Sequence, residues 1–339
     1  MRQRLSAAPL IGVLLLSTFA AGPATAAPAA GCGMVITQTT TLTADIGPCG
    51  RGGIVIAADG ISVDLGGHTI SGKGSTGDGV GILFDGVTDS RVSNGTVRGF
   101  DAGVAIVGGS INVVHHLTIR DNIGNLKASR PAYGDGVVIQ SSNSNWIFQN
   151  TVTNNGPFGG VSVLATTTTA SDSNAIDRNT IIDNDVDRAA VNENDGIRVE
   201  GPNATGTVIM NNTIIANGRD GIAVFDDQGT GFPNAGLYIR DNVVQGNGFH
   251  GMSNRKGDGV FLAAGADGGF VFDNEVTGNA ANGIRVGSLA GSYFGNTATG
   301  NVRYPGVVNA FDLHDENPGC ADNEWDGNTF GTASQTCIL

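Results

Sequence analysis

Lysine is nearly missing from this chain: Lys73, Lys127 and Lys256 are the only three in 339 residues, and Lys plus Arg number 18 against 31 Asp plus Glu, a formal net charge of -13. Nucleic acid is held through many cations on its phosphates, so that balance excludes it as a natural partner. Proline is scarce as well, 10 residues against 54 Gly, and the glycines show no three-residue period, which excludes a collagen-like chain. Aromatic residues make up 6% and charged residues 14%, yet 40% of the chain is hydrophobic, enough for a sizeable core and too much for a wholly disordered protein. Beyond the first 26 residues no apolar run approaches the roughly 18 residues of a membrane span.

Those first residues read as an export signal. Arg2 and Arg4 precede an apolar run from Leu10 to Ala21, and Ala24-Thr25-Ala26 offers a small-residue cleavage site. Removing residues 1–26 takes away two Arg and no acid, moves the formal charge from -13 to -15, and predicts a soluble, secreted protein. Four Cys then face an oxidising compartment as Cys32/Cys49 and Cys320/Cys337, one pair near each end. No Cys-x-x-Cys and no cluster of His accompanies them, which argues against zinc. Of the three possible connectivities, the sequential one closes a local loop at each end and predicts disulfide staples in two caps, residues 27–53 and 317–339.

Between the caps, residues 54–316 repeat. Asp or Asn, then Gly, then Val or Ile recurs as Asp78-Gly79-Val80, Asp135-Gly136-Val137, Asp195-Gly196-Ile197, Asp220-Gly221-Ile222, Asp258-Gly259-Val260 and Asn282-Gly283-Ile284, with degenerate copies at Gly103, Gly160 and Gly306. The base period is about 24 residues, with three longer repeats. A second pattern runs in step: Asn150, Asn179, Asn212, Asn242, Asn274 and Asn296 are each followed five residues later by another Asn. Short β-branched runs such as Thr180-Ile181-Ile182 lie between, without helical periodicity.

Strands this short satisfy their backbones only by pairing with the equivalent strand one repeat away, about 4.8 Å distant. The expectation is an all-β parallel β-solenoid of about ten rungs with three short strands each. Inward positions such as Val137, Ile139, Ile197, Val199, Ile284 and Val286 should stack, and the Asn columns should form hydrogen-bonded ladders, Asn being a residue that tolerates left-handed backbone. Over about residues 50 to 330 the repeats resemble those of the right-handed parallel β-helix, pectin-lyase-like superfamily, which implies a right-handed parallel β-helix here. The phrases Asp64-Leu65-Gly66-Gly67-His68-Thr69-Ile70-Ser71-Gly72 and Asn323-Glu324-Trp325-Asp326-Gly327-Asn328 are similar to secreted bacterial members. The resemblance implies the coil and leaves the reaction open, since such folds carry lyases, hydrolases, epimerases and non-enzymes.

The longer repeats gain their residues in one turn, at 123–134, 185–194 and 248–257, after the second Asn and before Asp-Gly; a smaller insertion follows Phe225, at 226–234. Stacked turns would raise a wall beside the following strand, the position that forms the substrate cleft in enzymes of the superfamily. All three Lys lie in this turn, with Arg130, Arg188, Arg219 and Arg255, a cationic stripe suited to an anionic ligand; the plain alternative is charge neutralisation on a solvated surface. Below it Asp195, Asp220 and Asp258 should stack about 5 Å apart and need a counter-charge, from Ca²⁺, Arg198 or Arg219. Turn chemistry alone also places Asp before Gly.

The densest constellation is His250, Arg255, Lys256 and Asp258. β-Elimination from a uronate needs a base near a neutralised carboxylate, which gives Lys256 or Arg255 as base, Arg198 as charge stabiliser and Asp195 and Asp220 as Ca²⁺ ligands. Lys127, Arg130, Arg188, Arg219, Phe261 and Arg285 are the expected substrate-binding residues. Hydrolysis would instead use two carboxyls from Asp220, Asp226, Asp227 and Asp258. His115-His116 reads as one packed and one exposed ring. Asp312-Leu313-His314-Asp315 resembles the Asp-Pro-His-Asp motif of alginate epimerases with Leu in place of Pro. The expected protein is a polysaccharide lyase acting on an acidic glycan, with a glycoside hydrolase or a non-catalytic glycan-binding β-helix as the alternatives.

Overall fold

The computed structural model describes residues 31–74, 79–124, 134–185, 194–225, 236–249 and 257–339, and these form a coil of parallel strands. Residues 1–26 lie outside the described part. One sheet of eleven strands runs the whole length, from Met34–Ile36 through Asp135–Gln140, Asp195–Glu200, Ile222–Phe225, Val260–Leu262 and Ile284–Val286 to Leu313–Asp315. We call it the floor sheet. Two further sheets complete each turn, for example Val208–Met210 followed by Thr213–Ile215, each pairing in parallel with its counterparts on either side. In Arg91–Arg98 and Val113–Arg120 the two sheets share a single strand that passes through the corner.

The alternation of the sequence explains the core. Ile176, Ile181, Ile209, Ile214, Ile239 and Val244 from the second and third sheets meet Ile197, Val199, Ile222 and Val224 from the floor, all at 0% exposure. Each such side chain is worth about 1.5–3 kcal/mol relative to exposure. Repetition along the axis, rather than a compact centre, supplies the stability.

Glycine recurs because of space at one corner. The positions that stack are Gly81, Gly103, Gly136, Gly160, Gly196, Gly221, Gly259 and Gly283, and a Cβ on Gly221 would lie 2.6 Å from the carbonyl oxygen of Gly259 in the next rung. Two expected copies are out of register. Gly81 rather than Gly79 occupies the column, and at the far end the place expected for Gly306 belongs to Asp312, since Leu313 pairs with Ile284. Asp is accommodated there because the segment stacked on it meets its carboxylate, the amides of Gly331 and Thr332 both donating to Oδ2.

The Asn columns are ladders. Asn179 donates its backbone N–H and its Nδ2 to Asn212 Oδ1 at 2.9 and 3.1 Å, and Asn212 does the same to Asn242, at 3.0 Å in both cases. The second column runs likewise from Asn122 to Asn301 and ends on Asp312. A third, Asn112, Asn145 and Asn174, was not evident in the repeat pattern. The left-handed backbone falls one residue earlier than expected, at Gln149, Arg178, Asn211, Asp241 and Asp273 with φ between 54° and 57°; the bend turns the following Asn inward.

The ends are stapled as expected, Cys32 to Cys49 and Cys320 to Cys337. The segments read as caps also contribute to the coil. Met34–Ile36 and Ile46–Cys49 pair with the next rung, and Glu324–Asp326 and Thr329–Phe330 pair with the preceding one. Each disulfide thus pins a terminal rung that has a neighbour on one side only.

Candidate functional site

The register of the floor sheet sets a line of outward-facing side chains. Ser162, Arg198, Ala223, Phe261, Arg285 and His314 occupy the same position in successive strands, about 4.8 Å apart. The long insertions leave the described coil just after Asn122, Asn184 and Asn247, which are members of one ladder and therefore of one corner. The shared origin expected of a wall is met; the insertions themselves lie outside the described residues, and with them Lys127, Arg130, Arg188, His250, Arg255 and Lys256, as well as Asp226 and Asp227. The insertion after Phe225 begins at the other end of a floor strand.

A fourth excursion from the same corner escaped the repeat pattern. After Asn301, residues 302–310 run beside the coil, anchored where Val302, Arg303 and Tyr304 donate their amides to Ala281, Asn279 and Ala280. Taking Gly306 for a repeat glycine hid it. Together with the floor it encloses a cleft of about 900 Å³ lined by Arg219, Asp220, Asp258, Phe261, Asn282, Arg285, Tyr304, His314 and Glu316.

Beneath the cleft the Asp column forms a ladder of its own. Asp195 Oδ1 accepts the backbone N–H of Asp220 at 3.0 Å, Asp220 Oδ1 that of Asp258 at 2.6 Å, and Asp258 Oδ1 that of Asn282 at 2.8 Å. All three carboxylates are buried, at 0%, 2% and 1% exposure. Burial pushes Asp195 up to about 7 and also raises Asp220, with Arg219 opposing the rise in both.

Of the counter-charges considered, Arg219 is in place, its Nε 3.0 Å from Asp220 and 3.8 Å from Asp195, and Arg198 adds to it at Asp195. Arg285 serves Asp258, Nε to Oδ2 at 2.6 Å. Among the described residues no group of three or more His, Cys, Asp and Glu is arranged to hold a metal; of the two Asp expected to ligate Ca²⁺, each engages Oδ1 with a backbone amide. No step below is routed through Ca²⁺.

The remaining described candidates separate. Arg198 pairs with Glu200, Nε to Oε2 at 2.6 Å, is 5% exposed, and lies against Phe225; it sits four strands from His314, too far to share a reacting sugar. Asp258, grouped with the catalytic residues from sequence, has one oxygen on the amides of Asn282 and the other on Arg285, an anchoring arrangement. Arg285 and Phe261 are brought together, the guanidinium 3.9 Å from the ring centroid, and Arg285 Nη1 also meets Glu316 at 3.1 Å. Nη2 of Arg285 has no hydrogen-bond partner among the described residues.

In the Asp-Leu-His-Asp phrase only His314 lines the cleft; Asp312 terminates an Asn ladder and Asp315 receives Trp325 Nε1 at 2.9 Å. Sequence reasoning passed over His314, Asn282, Tyr304 and Glu316 as cleft residues, although the outward register of Phe261 and Arg285, carried one strand further, leads to His314. His115 and His116 both face outward, because His116 takes a left-handed φ of 54° between buried Val114 and Leu117; His115 stacks on Phe148.

A repeating coil with a decorated cleft on one sheet defines a class, the right-handed parallel β-helix proteins. The chain belongs to the family described as right handed beta helix region, whose model matches residues 17–181 and 158–303. No curated protein matches it. Among solved structures, the Dettilon tailspike protein is 18% identical, with a TM-score of 0.57 over 87% of this chain and 63% of that one. The A-module of the Azotobacter vinelandii mannuronan C-5 epimerase AlgE6 is 14% identical, with a TM-score of 0.56 over 89% of this chain and 80% of that one. The Agl-KA catalytic domain is 13% identical, with a TM-score of 0.60 over 89% of this chain and 58% of that one. The chain thus spans less than two thirds of the tailspike and Agl-KA chains. At these identities the likeness concerns the fold. Among the described residues no helix is long and apolar enough to cross a membrane.

Proposed function

We propose that this protein is a secreted, carbohydrate-active β-helix that binds an acidic polysaccharide along the floor sheet and cleaves it by β-elimination in the cleft at His314. The reading rests on one observation above others: Arg285 lies over the Phe261 ring inside the cleft with Nη2 unengaged by any described residue. An aromatic ring suits the apolar face of a sugar, and an adjacent guanidinium suits a uronate carboxylate. Neutralising that carboxylate makes the neighbouring C5 proton removable. Lys256 and Arg255 remain candidate bases from the sequence, and His314 is the candidate within the described cleft.

The carboxylates favour elimination over hydrolysis. Hydrolysis needs two carboxyls about 5 to 9.5 Å apart that can exchange protons with the substrate. In the described cleft Asp220 and Asp258 are buried and hold backbone amides and guanidinium groups, which leaves Glu316 as the exposed carboxylate. The mannuronan epimerase among the similar structures supports a glycan as the substrate class.

The test is incubation of the purified protein with pectate, alginate and glycosaminoglycans, with Ca²⁺ and with a chelator, following absorbance near 235 nm. Unsaturated chain ends are expected on at least one uronate polymer. New reducing ends without that absorbance would replace the lyase by a hydrolase, and binding without any new ends would leave a glycan-binding scaffold.

A further inference from the structure

One imidazole in the cleft is held by a chain of contacts that fixes where its proton sits. Asn282 continues the Asp ladder, and its amide orientation is determined from two sides. Nδ2 donates to Asp258 Oδ1 at 2.7 Å, while Oδ1 accepts the backbone N–H of Phe311 at 2.8 Å. An amide turned the other way would set oxygen against carboxylate and NH₂ against N–H, so Oδ1 is the atom presented to His314. His314 Nδ1 lies 3.1 Å from it. Facing an acceptor, Nδ1 must carry a proton, and in the neutral ring Nε2 is then the nitrogen with the lone pair. Nε2 has no protein partner among the described residues, and the ring lines the cleft beside Arg285.

We infer that Asn282, anchored on Asp258, is a positioning residue that locks His314 in the Nδ1–H form and makes Nε2 the proton acceptor of the cleft. The inference builds on the lyase reading and assigns its base. In the elimination, Nε2 takes the C5 proton, the C5–H electron pair becomes the C4–C5 double bond, and the C4–O bond breaks. The departing oxygen collects a proton from solvent, and the imidazolium returns its proton to solvent.

The surroundings keep the ring neutral near pH 7. Burial lowers the pKa of His314 most; Glu316 and Asp315 on its own segment act to raise it, and Arg285 on the adjacent strand acts to lower it. Arg219, Asp220 and Asp258 are the other charged groups lining the cleft, with Tyr304 the remaining titratable one.

Two readouts test this separately from the function. In ¹⁵N-histidine-labelled whole protein, long-range ¹H–¹⁵N spectra at neutral pH should show His314 protonated on Nδ1 and bare on Nε2. Asn282→Ala should shift it toward the Nε2–H form that free imidazole prefers. Asn282→Asp keeps an acceptor facing Nδ1, so it should retain Nδ1–H and raise its titration midpoint; it exchanges the Nδ2 bond to Asp258 for a carboxyl pair of the kind the ladder already carries between Asp195, Asp220 and Asp258, and so covers the case in which the Ala variant fails to fold. With a turned-over glycan, His314→Gln should cost at least about a hundredfold in kcat. Asn282→Ala should cost about tenfold or more in kcat with KM little changed, and Asn282→Asp should recover part of the rate with its acid limb moved to higher pH. An Nε2–H imidazole in the unmodified protein, or a tautomer indifferent to Asn282, overturns the inference even if the protein proves to be a lyase. The expected tautomer in a protein that eliminates no uronate supports the positioning and removes the function instead.

Discussion

Replacing Asn212 by Ala tests whether the coil is held by its ladders as much as by its apolar core. Asn212 is 1% exposed; its Oδ1 accepts the backbone N–H and Nδ2 of Asn179, and its Nδ2 donates to Ile176 O at 2.9 Å and to Asn242 Oδ1 at 3.0 Å. After truncation Asn242 Oδ1 keeps the backbone N–H of residue 212 and Asn179 Nδ2 keeps the carbonyls of Ile147 and Asp177, whereas the backbone amide of Asn179 and the carbonyl of Ile176 each lose a partner in the interior. An unsatisfied buried group costs about 1–3 kcal/mol, so two predict a loss of about 2–6 kcal/mol, with the lower end applying if a water enters. Urea unfolding followed by far-ultraviolet circular dichroism measures it. Because rungs couple to nearest neighbours, the transition should also broaden as the stacks on either side uncouple. Asn154→Ala is the control: Asn154 is exposed, has a left-handed φ of 54° and donates one side-chain bond to Asp121, so a change of at most about 1 kcal/mol is expected. Equal effects of the two substitutions would refute the ladder argument, because they differ in burial and stacking and not in residue type.

Gly221→Ala should destabilise by about 1–3 kcal/mol or more in the same assay, since the added carbon meets a backbone carbonyl that cannot swing aside, whereas Gly268→Ala, at a left-handed position with open space, should cost only about 1 kcal/mol. Asp195 binds its proton more tightly folded than unfolded, so its contribution is fully present below about 3.8 and is lost as pH rises through about 7. Asp195→Asn should accordingly match the parent melting temperature near pH 4 and exceed it near pH 8; a difference that is the same at both would show that this carboxyl does not titrate as described. Removing the second disulfide by Cys320→Ser with Cys337→Ser should release about 3 kcal/mol of loop constraint and fray the last rung, seen as a red shift of emission from Trp325, which is 3% exposed in the native coil. An unshifted spectrum would mean that Asp315 and the stacked Tyr293 hold Trp325 unaided.

The periodicity of the chain was enough to specify the coil, because a parallel stack obliges chemically equivalent residues to meet. Asn150 through Asn296, the inward Val and Ile positions, and both disulfides follow from that single constraint, and so does the stacking of Asp195, Asp220 and Asp258. Register within a rung was less legible. Gly79 and Gly81 both fit the phrase, and only the close approach of Gly103 O to the corner selects Gly81. The sequence placed cations near acids but not which would pair. That depended on reach: Arg219 and Arg285 extend to the buried Asp ladder, while Arg198, although on the same outward line, closes on Glu200 two residues along its own strand.

The cleft belongs to tertiary structure for a related reason. His314 lies 32 residues beyond Asn282, and no local motif joins them; one turn of the coil does, and residues of the 302–310 excursion line the same cleft. Repetition therefore determined which residues form columns. What only the folded chain decided was the direction of each proton and the partner of each charge, because these depend on differences of an ångström between side chains that the repeat treats as equivalent.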